Sequence, residues 1–163
     1  MRDVVQETAK RAGPGAPLPP TLIYLAGFAL GGWAESANPV WPDWHPPIWL
    51  TAVGWGMAAV GLHLFAWGLA TFARFRTGIM LQQEATCIVD VPPYSWSRNP
   101  QYVAFTVIYL GVALALGLFW PLLLLPFVIA LTTVAVINRE ERYMRSKFGD
   151  AYEAYCRRVR RWI

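Results

Sequence analysis

Two short stretches hold most of the side chains able to do chemistry: Ser97-Arg98-Asn99-Pro100-Gln101-Tyr102 and Asn138-Arg139-Glu140-Glu141. In the first, Asn99 is a good helix N-cap and Pro100 a good first helical residue, so the spacing predicts a helix that starts here. A helix start presents free N–H groups and the positive end of the dipole, which suits an anion. Arg98 adds a forked donor for a carboxylate or phosphate. In the second, Glu141 falls near the apolar stripe of Ile137 and Met144, where a charge is costly without a partner. The two stretches together suit a zwitterion. Arg98 and the helix N-terminus would hold a carboxylate, and Glu140 or Glu141 an ammonium. Tyr94, Trp96 and Tyr102 can face a cationic centre, because aromatic rings attract cations. The competing reading is architectural: Arg98 pairs only with a glutamate, Asn99-Pro100 only caps a helix, and the aromatics only pack.

His63 is the one ionisable residue placed inside an apolar run, and so is a catalytic candidate beside Arg98 and Glu141. A neutral histidine bonded to a neighbouring helix explains it equally well. Glu35 is expected to be solvated. Two histidines far apart, with no cysteine cluster, argue against a metal site. The chain has no G-x-G-x-x-G, no P-loop and no G-x-S-x-G.

The elements that must position these residues follow from hydropathy. The chain has 163 residues, enough for one domain, and 56% are hydrophobic against 15% charged. A soluble domain carries about 25% charged residues. Between Arg98 and Arg139 no residue is charged, and those forty positions are two spans, since about 20 apolar residues cross a bilayer. The expected fold is all-α and integral to the membrane, with four transmembrane helices and a C-terminal amphipathic helical tail. The spans fall at about 18–34, 48–72, 100–119 and 121–137 of one membrane domain, 18–163. Residues 1–17 form a flexible polar arm, and no A-x-A cleavage site follows the first apolar run, so that run is read as a retained span. Trp120-Pro121 marks the turn between the last two spans.

Orientation comes from the basic residues. Of 14 Lys and Arg, three lie in the arm, three (Arg74, Arg76, Arg98) in the loop 73–99 and eight in the tail 138–163. The loop at 35–47 has none. Positive residues favour the cytoplasmic side, which places both termini, the long loop and the tail there, in the inner membrane if the source is bacterial. Trp33, Trp41, Trp44 and Trp49 gather at the other end, where indoles favour the interface. The net charge of +4 matches anionic membrane lipids and calls for no nucleic acid. Cys87 and Cys156 fall in cytoplasmic segments, where a disulfide is not expected. In the tail, Ile137, Met144, Phe148, Tyr152, Tyr155, Val159 and Trp162 make one apolar stripe. Gly149 ends one helical stretch, Asp150 caps the next with Glu153 as its reciprocal partner, and Arg157, Arg158, Arg160 and Arg161 sit near a helix C-terminus. The stripe lies either on the inner leaflet or under a site as its floor.

These segments resemble the isoprenylcysteine carboxyl methyltransferase and phospholipid methyltransferase family. Pro93-Tyr94-Ser95-Trp96-Ser97-Arg98-Asn99-Pro100-Gln101-Tyr102 is similar to the family's G-P-Y-x-x-x-R-[HN]-P-x-Y, Glu140-Glu141 to its glutamate pair, and Phe148–Tyr155 to its F-G-x-x-Y-x-x-Y tail. Thr77 falls where the preceding loop of the family carries a threonine. The resemblance covers about residues 93–163. It implies an S-adenosylmethionine site at the cytoplasmic face, with Arg98, Asn99, Tyr102, Glu140, Glu141 and Tyr94 as cofactor-binding candidates. A lipophilic or membrane-embedded acceptor would enter from the bilayer. Asn99 stands where many members have His, Pro92 where the G-P-Y glycine falls and Ala104 where a glycine is frequent, so the acceptor chemistry is not carried over. The tail also resembles that of sterol and steroid reductases, which makes an NADPH-dependent membrane reductase the alternative. A non-catalytic membrane protein is the third reading.

Overall fold

The computed structural model describes residues 19–41, 44–75 and 85–163. The arm at 1–17 and Thr77 lie outside them. Every regular element among the described residues is helical: α1 (Pro20–Ala37), α2 (Ile48–Phe75), α3 (Pro100–Leu116), α4 (Phe119–Thr132), a π-helical turn (Thr133–Ile137), α5 (Asn138–Phe148) and α6 (Asp150–Arg158). α4, the π turn and α5 run on as one helix, Phe119–Phe148. This helix and α2 are long and apolar enough to cross a membrane, and α3 is apolar but shorter.

Small residues let the helices meet. On α2, Gly54, Gly61 and Gly68 recur every seven residues and form its buried stripe. A Cβ on Gly54 would lie 2.5 Å from the Ala115 nitrogen, and one on Gly111 would lie 2.6 Å from the Gly54 carbonyl oxygen. The backbones of α2 and α3 therefore touch, as close packing between membrane helices requires. α1 packs on α4 in the same manner, Gly31 against Pro121. Ile23, Tyr24, Tyr102, Tyr109, Leu125, Val128, Val136 and Ile137 fill the space between α1, α3 and α4. The opposite face of α2 leaves Trp49, Val53, Trp55, Val60 and Leu62 exposed.

The turn between α3 and α4 lies earlier than expected. Gly117, with φ 69°, ends α3 in the left-handed conformation, and the Leu118 N–H donates to the Ala113 carbonyl. α4 then starts at Phe119, and Pro121 sits in its first turn, where a missing N–H is tolerated at more than one position. Glu35 is not simply solvated. Its carboxylate accepts the Trp120 N–H at 3.0 Å, and the Trp120 indole donates to the Asn38 carbonyl at 2.8 Å. A carboxylate from α1 thus satisfies a free donor at the positive end of α4. At the next junction Gly149 is the N-cap of α6 and Asp150 its first residue, with no side-chain cap bond. Glu153 instead accepts from Arg145 at 2.8 Å.

Candidate functional site

The site is built where the start of α3, the start of α5 and the segment after α6 meet. Asn99 occupies the N-cap of α3 and Pro100 its first position, but the Asn99 side chain does not cap the helix. Its amide donates instead to the Arg161 carbonyl at 3.0 Å. Ser97 donates to the same carbonyl at 3.3 Å and accepts the Asn99 N–H at 3.1 Å. The Arg98 N–H donates to the Arg160 carbonyl at 2.9 Å. Main-chain acceptors after α6 therefore take the Ser97 hydroxyl, the Arg98 N–H and the Asn99 amide, and of these the sequence assigns the Asn99 side chain to a cap.

Glu140 and Glu141 reach this point because of the π turn. Nine residues separate Thr132 from Glu141, which on an uninterrupted α-helix sets them about 180° apart. The π turn absorbs one residue, and both Thr132 and Glu141 are buried on the inner side. Glu141 is only 3% exposed. Arg161 grips it with a two-pronged bond, Nε to Oε1 at 2.9 Å and Nη2 to Oε2 at 2.6 Å. Arg98 Nη2 lies 3.3 Å from Oε1 and Arg145 Nη1 3.9 Å from Oε2. The Glu141 carboxylate holds the Arg161 guanidinium above its ordinary pKa. Arg98 keeps a buried Nε with no partner among the described residues.

Glu140 has a different environment. It is half-buried, and the Tyr102 hydroxyl donates to its two oxygens at 2.9 Å each. Among the described residues no cation pairs with it. Burial pushes the Glu140 carboxyl up to about 7, with the Tyr102 bond opposing the shift and the neighbouring Glu141 adding to it, whereas arginines surround the Glu141 carboxylate.

An aromatic wall closes the side facing α2. Tyr94 stacks on Phe72 with centroids 4.4 Å apart, donates to the Gly68 carbonyl and accepts from Gln101. The Tyr94 carbonyl accepts the Tyr155 hydroxyl at 2.7 Å. Burial pushes the hydroxyls of Tyr94 and Tyr155 above the ordinary tyrosine range, so both stay protonated as donors. Trp96 meets Trp67 edge to face at 5.2 Å and leaves most of its ring exposed. The tail stripe packs inward: Tyr152, Tyr155 and Val159 are buried with Ile88, Met144 and Phe148, and Trp162 leans on the helical core.

The geometry thus brings together Arg98, Asn99, Tyr102, Glu140 and Glu141, with Tyr94 behind them. It does not bring His63, which is exposed on α2 beside Trp67, two residues and so about 200° around from Gly61 on the packed stripe. Arg161 was not singled out in the sequence, where it reads as one of four arginines at a helix C-terminus. α6 ends at Arg158, and Val159 is extended (φ −115°, ψ 129°), so Arg160 and Arg161 lie past the helix. That break is what aims Arg161 at Glu141. No group of three or more His, Cys, Asp or Glu suited to a metal ion occurs among the described residues.

Comparison with known proteins agrees with the motif resemblance. The family profile for phospholipid methyltransferase matches residues 49–151. Over 66 residues the chain is 39% identical to the protein-S-isoprenylcysteine O-methyltransferase of Schizosaccharomyces pombe, a match covering 40% of this chain and 28% of that protein. Over 27 residues it is 59% identical to an uncharacterized protein of Haemophilus influenzae, covering 17% of this chain and 43% of the other. Each match thus spans less than half of the relative's own length. No solved structure matches the chain significantly.

Proposed function

The chain belongs to the phospholipid methyltransferase family, and on that premise we propose that it is a membrane methyltransferase that moves a methyl group from S-adenosylmethionine to a lipophilic acceptor at the cytoplasmic face. The observation that carries this reading is the unequal state of two adjacent carboxylates. Glu141 is neutralised by arginines, while among the described residues Glu140 takes the Tyr102 hydroxyl and no cation. Glu140 suits the ammonium of an amino-acid end group, and Arg98, with its spare buried Nε, suits the carboxylate. The N–H groups opening α3 add a positive field beside Arg98. The residues present therefore fit the zwitterionic end of such a donor, which when bound supplies an electrophilic methyl on a sulfonium.

What the chain itself does is hold and orient. Glu140 and Arg98 fix the two ends of the zwitterion, and Tyr94, Trp96 and Tyr102 offer rings toward a cationic centre. A carboxylate acceptor needs no general base, which suits a site whose uncompensated carboxylate is committed to an ammonium. Four membrane crossings, at about 18–34, 48–72, 100–119 and 121–137, complete the proposal. They put the loop 73–99 and the tail 138–163 on the cytoplasmic side.

Calorimetric and thermal-shift titration of the detergent-purified protein with S-adenosylhomocysteine tests the reading, with NADPH run alongside. A ligand that binds only the folded state adds about 2.7 kcal/mol of apparent stability at 100 times its dissociation constant. Stabilisation by the adenosyl ligand and not by NADPH is expected. The reverse would move the protein to the reductases, and no response to either would leave a non-catalytic membrane protein.

A further inference from the structure

We infer that Arg161 is a positioning residue of the candidate site: it saturates Glu141 and so keeps Arg98 available to ligand. The inference rests on the zwitterion reading of Arg98 and Glu140 given above. Arginine and carboxylate pair best fork to fork. Arg98 and Arg161 both reach Glu141, yet only Arg161 makes the two-pronged bond, at 2.9 and 2.6 Å. Among the described residues Arg98 is left with one contact to Glu141 at 3.3 Å and a buried Nε without a partner. Without Arg161, the buried Glu141 carboxylate would draw Arg98 into that two-pronged geometry and consume the donors a ligand carboxylate needs.

The surrounding chain is built to hold Arg161 in place. The Arg98 N–H is bonded to the Arg160 carbonyl, and Asn99 and Ser97 are both bonded to the Arg161 carbonyl. Val159 is buried on one side of Arg161 and Trp162 packs on the core on the other. The segment Val159–Trp162 thus lies as a strap across the start of α3. The same three residues that open α3 secure the residue that sets the state of Arg98.

The full chain in detergent gives the test, with S-adenosylhomocysteine as probe and unfolding temperature as the control for folding. Arg161→Ala is expected to weaken binding by about tenfold or more, and Arg161→Lys to weaken it too though less, since a lysine puts a cation on Glu141 but cannot make the two-pronged bond. The decisive variant is the double one, Arg161→Ala with Glu141→Gln. It removes the charge that would capture Arg98, so binding recovers relative to Arg161→Ala alone. A merely structural Arg161 would give a double variant no better than the single one, and that result would overturn the inference. Arg161→Gln, alone and with Glu141→Gln, gives the same comparison if the alanine variant does not fold. A wild-type protein that fails to bind the probe would instead remove the proposed function itself, and this inference with it. Wild-type binding with full affinity in Arg161→Ala would overturn the inference alone.

Discussion

At the residue scale the two adjacent glutamates have different partners. Glu141 is the hub of a cluster in which three arginines approach one buried carboxylate. Glu141→Gln strands those cations, and removing one member of a fully buried pair costs about 3–5 kcal/mol. Arg161 and Arg145 are 35% and 45% exposed and so partly screened, which brings the expected loss down to roughly 2 kcal/mol. Glu140→Gln leaves the Tyr102 hydroxyl an acceptor of the same shape, and its cost is expected to stay under about 1 kcal/mol. Ligand titration separates the two in the opposite order. Glu140→Gln loses S-adenosylhomocysteine binding, while Glu141→Gln keeps it. Chemical unfolding and calorimetry on the same pair of variants check both halves, and equal behaviour of the two would contradict the division of labour.

At the element scale, the π turn and the α2–α3 contact carry the design. The π turn shifts the phase of α5 relative to α4 by one residue, about 100° of helix. Val134 lies in that turn and is exposed. Its deletion is expected to restore a continuous α-helix and swing Glu141 away from Arg98 and Arg161. The helical circular dichroism should survive and adenosyl-ligand binding should not. Retained binding would show that the bulge does not orient the pair. At the α2–α3 crossing, Gly111→Ala places a methyl 2.6 Å from the Gly54 carbonyl oxygen, and backbone cannot yield as a side chain does. Overpacking of this kind costs about 1–3 kcal/mol. A drop in the detergent unfolding midpoint is expected, with no comparable drop for Gly56→Ala, whose Cβ would meet nothing within 4 Å.

At the scale of the whole molecule, the proposed topology places both cysteines on one side of the membrane and the loop after α1 on the other. Both cysteines are free thiols. In sealed inverted vesicles, an impermeant thiol reagent is expected to label Cys87 or Cys156. An introduced cysteine at Ser36, in a background lacking both, should label only from the opposite face. Ser36 labelling from the same face as the native thiols would contradict the single crossing proposed between them. The exposed tryptophans at 33, 41, 44 and 49 favour an interfacial position for that loop.

The sequence by itself determined what depends on local chemistry and on one-dimensional patterning. Uncharged apolar runs of about 20 residues read as helices, which satisfy their own backbone polar groups, so the all-helical fold and the approximate helix bounds were legible. The Ser97–Tyr102 segment and the Glu140-Glu141 pair stood out because charge at the ends of such runs is costly and therefore rare. The tail stripe was legible from its spacing of three, four or seven residues, but not the surface it meets. What only the tertiary structure decided is which polar group takes which partner. Asn99 favours an N-cap by propensity, yet its amide goes to a carbonyl 62 residues away. Glu35 reads as a surface charge, yet it caps α4 from 85 residues away. Arg161 reads as one basic residue among several, and a single extended residue after α6 aims it at Glu141. The π turn left no mark that periodicity could detect, because one inserted residue in an apolar run changes its phase and not its composition. Pairing between distant polar groups depends on where whole helices sit, and that is set by the summed packing of small residues such as Gly54 and Gly111 rather than by any property of the pair itself.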